Sequence, residues 1–373
     1  MASAATHNGT LHIPTIDITP YLDGDPGKVP DATARVAVAR RVDQAARTVG
    51  FMQIVGHGIP PATLQAFLRE FDDFFALDLD AKKRYQCPPQ INRGYSPPKS
   101  EALANSLGLA TAADLFEAFN LGVSADEHPE LALPADAYAP NIHPTQLPGF
   151  ATAVDGWFRE AGRVARVMTR IFADALGLCA DYFTQHTDHS IDVLRLNNYR
   201  LPAADTQLEP DQVGMGAHTD YGIVTILWAD QVPGLEILGT DTTWHPVQPA
   251  PGALLVNLGD AMARWTNDQW LSTMHRVAPP RIHGHLVPRR SAAYFHDGNI
   301  DAVIACLATC TGPGTPAAYA PITVGEHLEQ KLAGSRNGIL NPYATREASR
   351  LRGAETGSSA PVASGFQCPT ASP

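Results

Sequence analysis

Apolar and polar positions alternate through "IPTIDITPYL" (13–22) and predict a first strand. "DATARVAVARRVDQAARTVG" (31–50) switches to helical spacing, with Asp31 placed as N-cap and Gly50 as the stop. "FMQIVGHG" follows as a short strand. "PPATLQAFLREFDDFFALD" opens on proline and sets Leu64, Phe67, Leu68, Phe71, Phe74 and Phe75 on one face, so a helix with an aromatic core stripe is expected. "INRGYSPPKS", rich in Pro and Gly, reads as loop. The longest helical pattern is "PGFATAVDGWFREAGRVARVMTRIFADALGLC" (148–179). Its apolar stripe, from Phe150 through Trp157 and Val164 to Phe172, predicts a central supporting helix.

Beyond about residue 190 the texture changes. "DVLRLNNYR", "GAHTD", "IVTILWA", "LEILG", "TWHPV", "GALLVNLGD", "HRVAPP" and "SAAYFH" are short, β-like and separated by Gly, Pro and Asp turns. Such a series points to a sandwich or barrel. "PITVGEHLEQKLAGS" (321–335) predicts one more helix. Residues 1–11 read as a loose tail, and the small, polar segment from about 344 onward as a disordered one. The expected picture is a helical first half packed around an all-β second half.

Composition narrows the function classes. The chain has 373 residues, 44% hydrophobic and 17% charged, enough for a large core. Its net charge of −11 comes without a block of like charges, which argues against nucleic acid as the partner. No apolar run has membrane-spanning length, and the N-terminus lacks a signal-peptide pattern. A soluble, cytoplasmic protein with no membrane partner is expected. The five cysteines form no CxxC and are read as free thiols.

Candidate chemistry begins in "GMGAHTDYGIVTILW" (214–228). On a strand, residues two apart share a face, so His218 and Asp220 would present an imidazole and a carboxylate together. Two histidines and one carboxylate on one metal face leave the opposite positions free, the arrangement of non-haem Fe(II) oxygenases. Downstream histidines that could complete the set are His245, His275, His283, His285, His296 and His327. Enough chain lies between Asp220 and His275 for several antiparallel strands and a return. His283 and His285 lie in a Pro- and Gly-rich loop and read as a decoy. His245 reads as a strand-end residue, and spacing alone keeps it beside His275. Arg289 and Ser291 repeat the two-apart geometry, and their fork and hydroxyl suit the distal carboxylate of a dicarboxylic cosubstrate. Asn197 and Tyr199 could orient a carboxylate or keto group near the metal.

Taken in order, Asn197-x-Tyr199, "GAHTDYG", "PGALLVNLGD", "STMHRV" and Arg289-x-Ser291 followed by "YF" resemble the isopenicillin N synthase-like branch of the Fe(II)/2-oxoglutarate-dependent oxygenases. "IPTIDITPYL", "GFMQIVGHGIP", "RGYSP" and "DLFEAFNLG" resemble its N-terminal region, so the likeness spans roughly residues 12–335. It implies an α+β fold: a double-stranded β-helix, or distorted jelly roll, with flanking helices. It implies an N-terminal helical/β region over 12–125 and a supporting helix with a jelly-roll catalytic domain over 148–335, and composition adds the disordered tail over 344–373. His218, Asp220 and His275 would be the iron ligands. Arg289 and Ser291 would hold 2-oxoglutarate, supported by Tyr199 and Asn197. Two departures stand out: a longer step from His275 to Arg289, and "NNYR" where plant members usually carry a second tyrosine and a proline.

The implied reaction is O2-dependent hydroxylation, desaturation or ring closure of a small molecule, with succinate and CO2 as coproducts. Asp220 argues against halogenation, since related halogenases lack this carboxylate. Candidate substrate residues are Arg93, Tyr95, Phe119, Arg195, Tyr221 and Phe295, with Phe116 beside them; core packing is the competing role for Phe116 and Phe119. His57, between two glycines, reads as structural. The alternatives are an iron oxidase of the same fold that uses no 2-oxoglutarate, and a non-catalytic small-molecule-binding β-sandwich.

Overall fold

The computed structural model describes residues 11–22, 31–88, 90–104, 113–200 and 212–337. Both expected tails lie essentially outside them. The first half supplies β1 (Thr15–Asp17), α1 (Ala32–Thr48), β2 (Phe51–Val55), α2 (Pro61–Ala76), α3 (Leu79–Lys83), β3 (Gly94–Ser96) and β4 (Glu117–Gly122). The long helix α4 (Phe150–Ala175) leads into β5 (Val193–Asn198), β6 (Met215–His218), β7 (Val224–Ala229), β8 (Leu235–Leu238), β9 (Trp244–Pro246) and β10 (Leu254–Leu258). Then come α5 (Asp260–Trp265), β11 (His275–Val277), β12 (Arg281–Ile282), β13 (His285–Leu286), β14 (Arg290–His296) and α6 (Val324–Asn337).

Eight strands form a major sheet in the order β1-β2-β10-β7-β14-β5-β4-β3, and four form a minor sheet, β6-β11-β8-β9. Strand pairing in the major sheet is antiparallel except between β1 and β2. Alternation along each strand then sorts side chains to two faces. Leu196, Ala292, Tyr294, Ile226, Val256 and Ile54 belong to a large core shared with α1, α2 and α4. Phe116, Ala118, Tyr199, Leu255 and Phe51 belong to a second core shared with Met215, Leu235, Ile237 and Val277 of the minor sheet. This is the α+β jelly roll with flanking helices that the resemblance implies.

The helices form for the reasons legible in their sequences. The Asp31 side chain accepts from Ala34 N at the start of α1, and Gly50 takes φ +72° just past its end. In α2, Phe67, Phe71, Phe74 and Phe75 are buried; Phe74 packs edge-on to Phe119, with ring centroids 4.7 Å apart. Truncating such a side chain costs about 3–5 kcal/mol. Gly162 lets α4 press on the sheet, because a Cβ there would lie 2.6 Å from the Tyr294 hydroxyl. That hydroxyl is already tied to Asp192 Oδ2 at 2.6 Å. On the same helix-facing side, Lys82 and Glu117 form a buried ion pair at 2.7 Å.

Several expectations need correcting. The first strand stops at Asp17, because a 3-10 turn with Pro20 in its first turn follows. "RGYS" is not all loop, since Gly94–Ser96 adds an edge strand to β4. The short helix α5 was not anticipated, and α6 begins at Val324 rather than 321. The halves are not separate layers of helix and sheet: β1 to β4 join the same sheet as β5, β7, β10 and β14. The four cysteines among the described residues are free.

Candidate metal centre

The minor sheet pairs β11 with β6 so that His275 stands directly opposite His218. Their rings lie 4.3 Å apart, centroid to centroid. Opposite them, on the major sheet, Asn257 of β10 pairs with Thr225 of β7 on one rung, and Phe51 of β2 pairs with Asn257. The edge of Phe51 meets the His275 ring at 5.4 Å. The cluster therefore sits between the two sheets, where all three of His218, Asp220 and His275 are buried.

Asp220 reaches this place by a route other than the expected one. β6 ends at His218, so Thr219 and Asp220 lie on irregular backbone and not on a common strand face. Thr219 is turned away, and its hydroxyl donates to Asp260 Oδ2 at 3.0 Å. Asp220 turns inward and its Oδ2 accepts from Thr225 Oγ1 (2.5 Å) and Asn257 Nδ2 (2.6 Å).

Hydrogen bonding chooses the free atoms. His218 Nδ1 is 2.7 Å from Gly216 O, and His275 Nδ1 is 3.1 Å from Thr273 O. A carbonyl only accepts, so each Nδ1 carries the proton and each Nε2 is left with its lone pair. Asp220 Oδ1 remains as the second carboxylate oxygen, 3.8 Å from His218 Nε2 and 3.6 Å from His275 Nε2. One ligand atom from each residue lies within 4.8 Å of the others. Burial, with His275 next to it, pushes the His218 pKa down to about 4, so this imidazole is neutral and able to ligate at neutral pH. Two imidazoles and a carboxylate suit a divalent first-row metal such as Fe(II).

Along β14 the same inner face carries Ser291, Ala293 and Phe295, set opposite Asn197, Arg195 and Val193 of β5. Arg289 precedes the strand and is buried, its guanidinium 5.1 Å from the Tyr199 ring centre. Its Nε and Nη1 have no hydrogen-bond partner in the protein. A buried guanidinium with unmet donors suits a carboxylate arriving from outside the chain. Burial raises the Tyr199 pKa, with Arg289 and a hydrogen bond to Ser291 acting against it. Asn197 shares this face, but its Oδ1 accepts from Arg195 Nε at 3.1 Å.

The candidate substrate residues divide. Arg195 faces the barrel interior, over the Phe116 ring, and pairs with Glu101 at 2.8 Å. Phe295 stands on the inner face beside Thr225. Tyr221 follows Asp220, and its carbonyl is held by Ala261 N. Arg93, Tyr95 and Phe119 do not face the site. Arg93 is buried with its guanidinium donating to the carbonyls of Asn92, Val123, Ala137 and Ala139, so it clamps loops. Tyr95 and Phe119 pair across β3 and β4 on the face turned to α2, where Tyr95 donates to Glu117. One residue of alternation puts them on the wrong side of the sheet. His245 is occupied by Asp241 and Leu11 N, and His283 and His285 stand exposed at the β12–β13 turn. His57 is structural, accepting from Ile59 N. Sequence reading passed over Thr225 and Asn257, because their role depends on a rung between strands distant in the chain.

A two-histidine, one-carboxylate cluster held between the sheets of a jelly roll defines the class of non-haem iron oxygenases. Two family models match the chain: "non-haem dioxygenase in morphine synthesis N-terminal" over residues 13–146, and "2OG-Fe(II) oxygenase superfamily" over 182–298. The 2-oxoglutarate-Fe(II) type oxidoreductase hxnY of Emericella nidulans is 32% identical over 82% of this chain and 86% of its own length. Validamycin A dioxygenase of Streptomyces hygroscopicus subsp. limoneus is 31% identical over 84% of this chain and 85% of its own. The structure of Neurospora crassa T7H with alpha-KG and thymine matches with a TM-score of 0.74 at 28% identity, covering 89% of this chain and 99% of that one. The chain belongs to the 2OG-Fe(II) oxygenase superfamily, in the isopenicillin N synthase-like family. It is a 2-oxoglutarate-dependent dioxygenase that uses Fe(II), 2-oxoglutarate and O2. Among the described residues no helix is long and apolar enough to cross a membrane.

Proposed function

We propose that His218, Asp220 and His275 hold the iron, and that Arg289 and Ser291 hold the distal carboxylate of 2-oxoglutarate beside Tyr199. One observation carries this reading: every competing atom of the three ligands already has a protein partner, so Nε2, Nε2 and Oδ1 are the atoms left to meet. The unpartnered Nε and Nη1 of Arg289, on the same inner face, supply the matching cation.

Bound iron would supply the site for O2, the oxidant, with two electrons coming from 2-oxoglutarate as it is cleaved to succinate and CO2 and two from a C–H bond of the substrate. The chain's own residues bind, orient and exclude water. Thr225 and Asn257 fix one carboxylate oxygen of Asp220, which keeps the other aimed at the metal. Arg289 sets the position of 2-oxoglutarate, and Phe51 and Phe295 make the surroundings apolar. The substrate is a small organic molecule, of the kind of the thymine found in complex with T7H. Arg195, Tyr221 and Phe295 are the residues we assign to its side of the site; Arg195 answers a polar group, and Phe295 an apolar one.

The test is anaerobic. Purified protein loaded with Fe(II) should develop a visible charge-transfer band when 2-oxoglutarate is added. His218→Ala should abolish metal binding, whereas Arg289→Ala should keep the metal and weaken 2-oxoglutarate. Bound iron without the band would refute 2-oxoglutarate chelation. A screen of small molecules for succinate formation then finds the substrate.

A further inference from the structure

The backbone at Thr219 and Asp220 has left strand β6 yet is buried, so its groups must be met from elsewhere. Helix α5 meets the Asp220 carbonyl, and α5 and α6 together meet the Tyr221 carbonyl that follows. From α5, Asp260 N donates to Asp220 O at 2.8 Å and Ala261 N donates to Tyr221 O at 3.0 Å. From α6, His327 Nε2 reaches the same Tyr221 carbonyl at 3.0 Å. The link between them is the Asp260 carboxylate: one oxygen, Oδ2, both accepts from Thr219 and pairs with Lys331 of α6 at 2.7 Å. Thr219, Asp260, His327 and Lys331 are all buried.

A buried ion pair is a poor source of stability, because desolvation consumes most of the attraction. What it does well is specify one arrangement. Here it reaches Thr219, the residue between two ligands. With Lys331 in place, Asp260 is anchored, the Thr219 hydroxyl is held outward, and the following Cα is set so that Asp220 faces His218. Strand pairing ends at His218, so this contact shares the fixing of that step with the Thr225 and Asn257 bonds to Asp220.

We propose that Lys331 and Asp260 are positioning residues for the metal, a latch through which α6 sets the pitch of the His218–Asp220 step. The inference rests on the reading of His218, Asp220 and His275 as iron ligands. The measurement is the Fe(II) dissociation constant, taken anaerobically by competition with a chelator, with melting temperature recorded alongside. Lys331→Met and Thr219→Val should each weaken Fe(II) by about tenfold or more, the usual effect of disturbing a ligand's support. Combined, they should cost less than the product of the two, since both act through Asp260 Oδ2. Lys331→Arg should recover most of the affinity.

Lys82→Met is the control, because it breaks an equally buried ion pair on the other face of the major sheet. It should lower the melting temperature and leave the Fe(II) constant unchanged. The latch is overturned if Lys331→Met and Thr219→Val bind Fe(II) like wild type, if their losses multiply in full, or if Lys82→Met weakens Fe(II) as much. Should Lys331→Met fail to fold, Thr219→Val, which removes one hydroxyl and no charge, decides alone. Including His218→Ala separates the two readings. If it binds Fe(II) as wild type does, the ligand assignment and the latch fall together. If it loses Fe(II) while the latch variants do not, only the latch falls.

Discussion

With the role proposed for it, Arg289 would make opposite demands on the protein with and without 2-oxoglutarate, and Arg289→Met separates them. The residue is 2% exposed, and its Nε and Nη1 have no partner in the chain. Each unmet buried donor costs roughly 1–3 kcal/mol. Methionine fills the apolar part of the same space without those donors. In the absence of 2-oxoglutarate the variant should therefore be more stable, by about 2 kcal/mol or more. At about 2.1 cal/mol/K of unfolding entropy per residue, a chain of 373 residues gains roughly 1.3 °C per kcal/mol, so the expected rise in melting temperature is about 2–3 °C. With 2-oxoglutarate the balance reverses. A bidentate charge-assisted contact of two hydrogen bonds, at about 1.5–3 kcal/mol each, is lost. Affinity should fall by two orders of magnitude or more, on the order of 3 kcal/mol at least. Arg289→Lys keeps the charge without the fork and should fall between.

Two assays read this out: calorimetry of the protein with and without cosubstrate, and 2-oxoglutarate titration of the anaerobic Fe(II) protein through its visible band. The reasoning is refuted if Arg289→Met binds 2-oxoglutarate as wild type does. It is equally refuted if the variant melts below wild type when no 2-oxoglutarate is present.

Other expectations concern the metal and pH. Thr225→Val and Asn257→Leu each remove a donor to Asp220 Oδ2, so Fe(II) affinity measured anaerobically should drop by about 10- to 100-fold. Fe(II) at 100 times its dissociation constant should stabilise the wild type by about 2.7 kcal/mol in calorimetry, and His218→Ala should show no such gain. Burial holds His327 down, to a pKa of about 4. Its unfolded value is higher, so between pH 6.5 and about 4 the unfolded chain binds the extra proton and stability falls as pH falls. His327→Gln keeps a donor for the Tyr221 carbonyl and does not titrate; its melting temperature should fall less between pH 7 and pH 5, and an unchanged slope would exclude His327 as a cause. Gly162→Ala should destabilise, because its methyl meets the Tyr294 hydroxyl that Asp192 holds in place.

Legibility differed from residue to residue for identifiable reasons. The α1 cap at Asp31, the aromatic stripe of α2 and the apolar stripe of α4 were readable because they depend on neighbours within a few turns. The α5 helix was missed because it is a short turn after β10 with no apolar period of its own. Tyr95 and Phe119 were placed near the substrate because aromatic residues in a family motif invite it. The register of β3 on β4 sends both to α2 instead. Arg93 looked like a ligand-binding charge on a loop, and proved to be consumed by four backbone carbonyls.

By itself the sequence determined the residue types able to do the chemistry and their order. His218, Asp220, His275, Arg289 and Ser291 are covalent facts of the chain, and local propensity determined most of the helices and strands that carry them. Tertiary structure alone decided which atoms face one another. Asp220 does not share a strand face with His218, so the two residues that the spacing rule pairs meet by a different geometry. What turns Asp220 inward is a rung formed by Thr225 and Asn257, with Asp260 and Lys331 behind Thr219. Those contacts join residues far apart in the chain. Strand register and helix docking set them, and both are settled by which apolar faces bury together rather than by any local pattern.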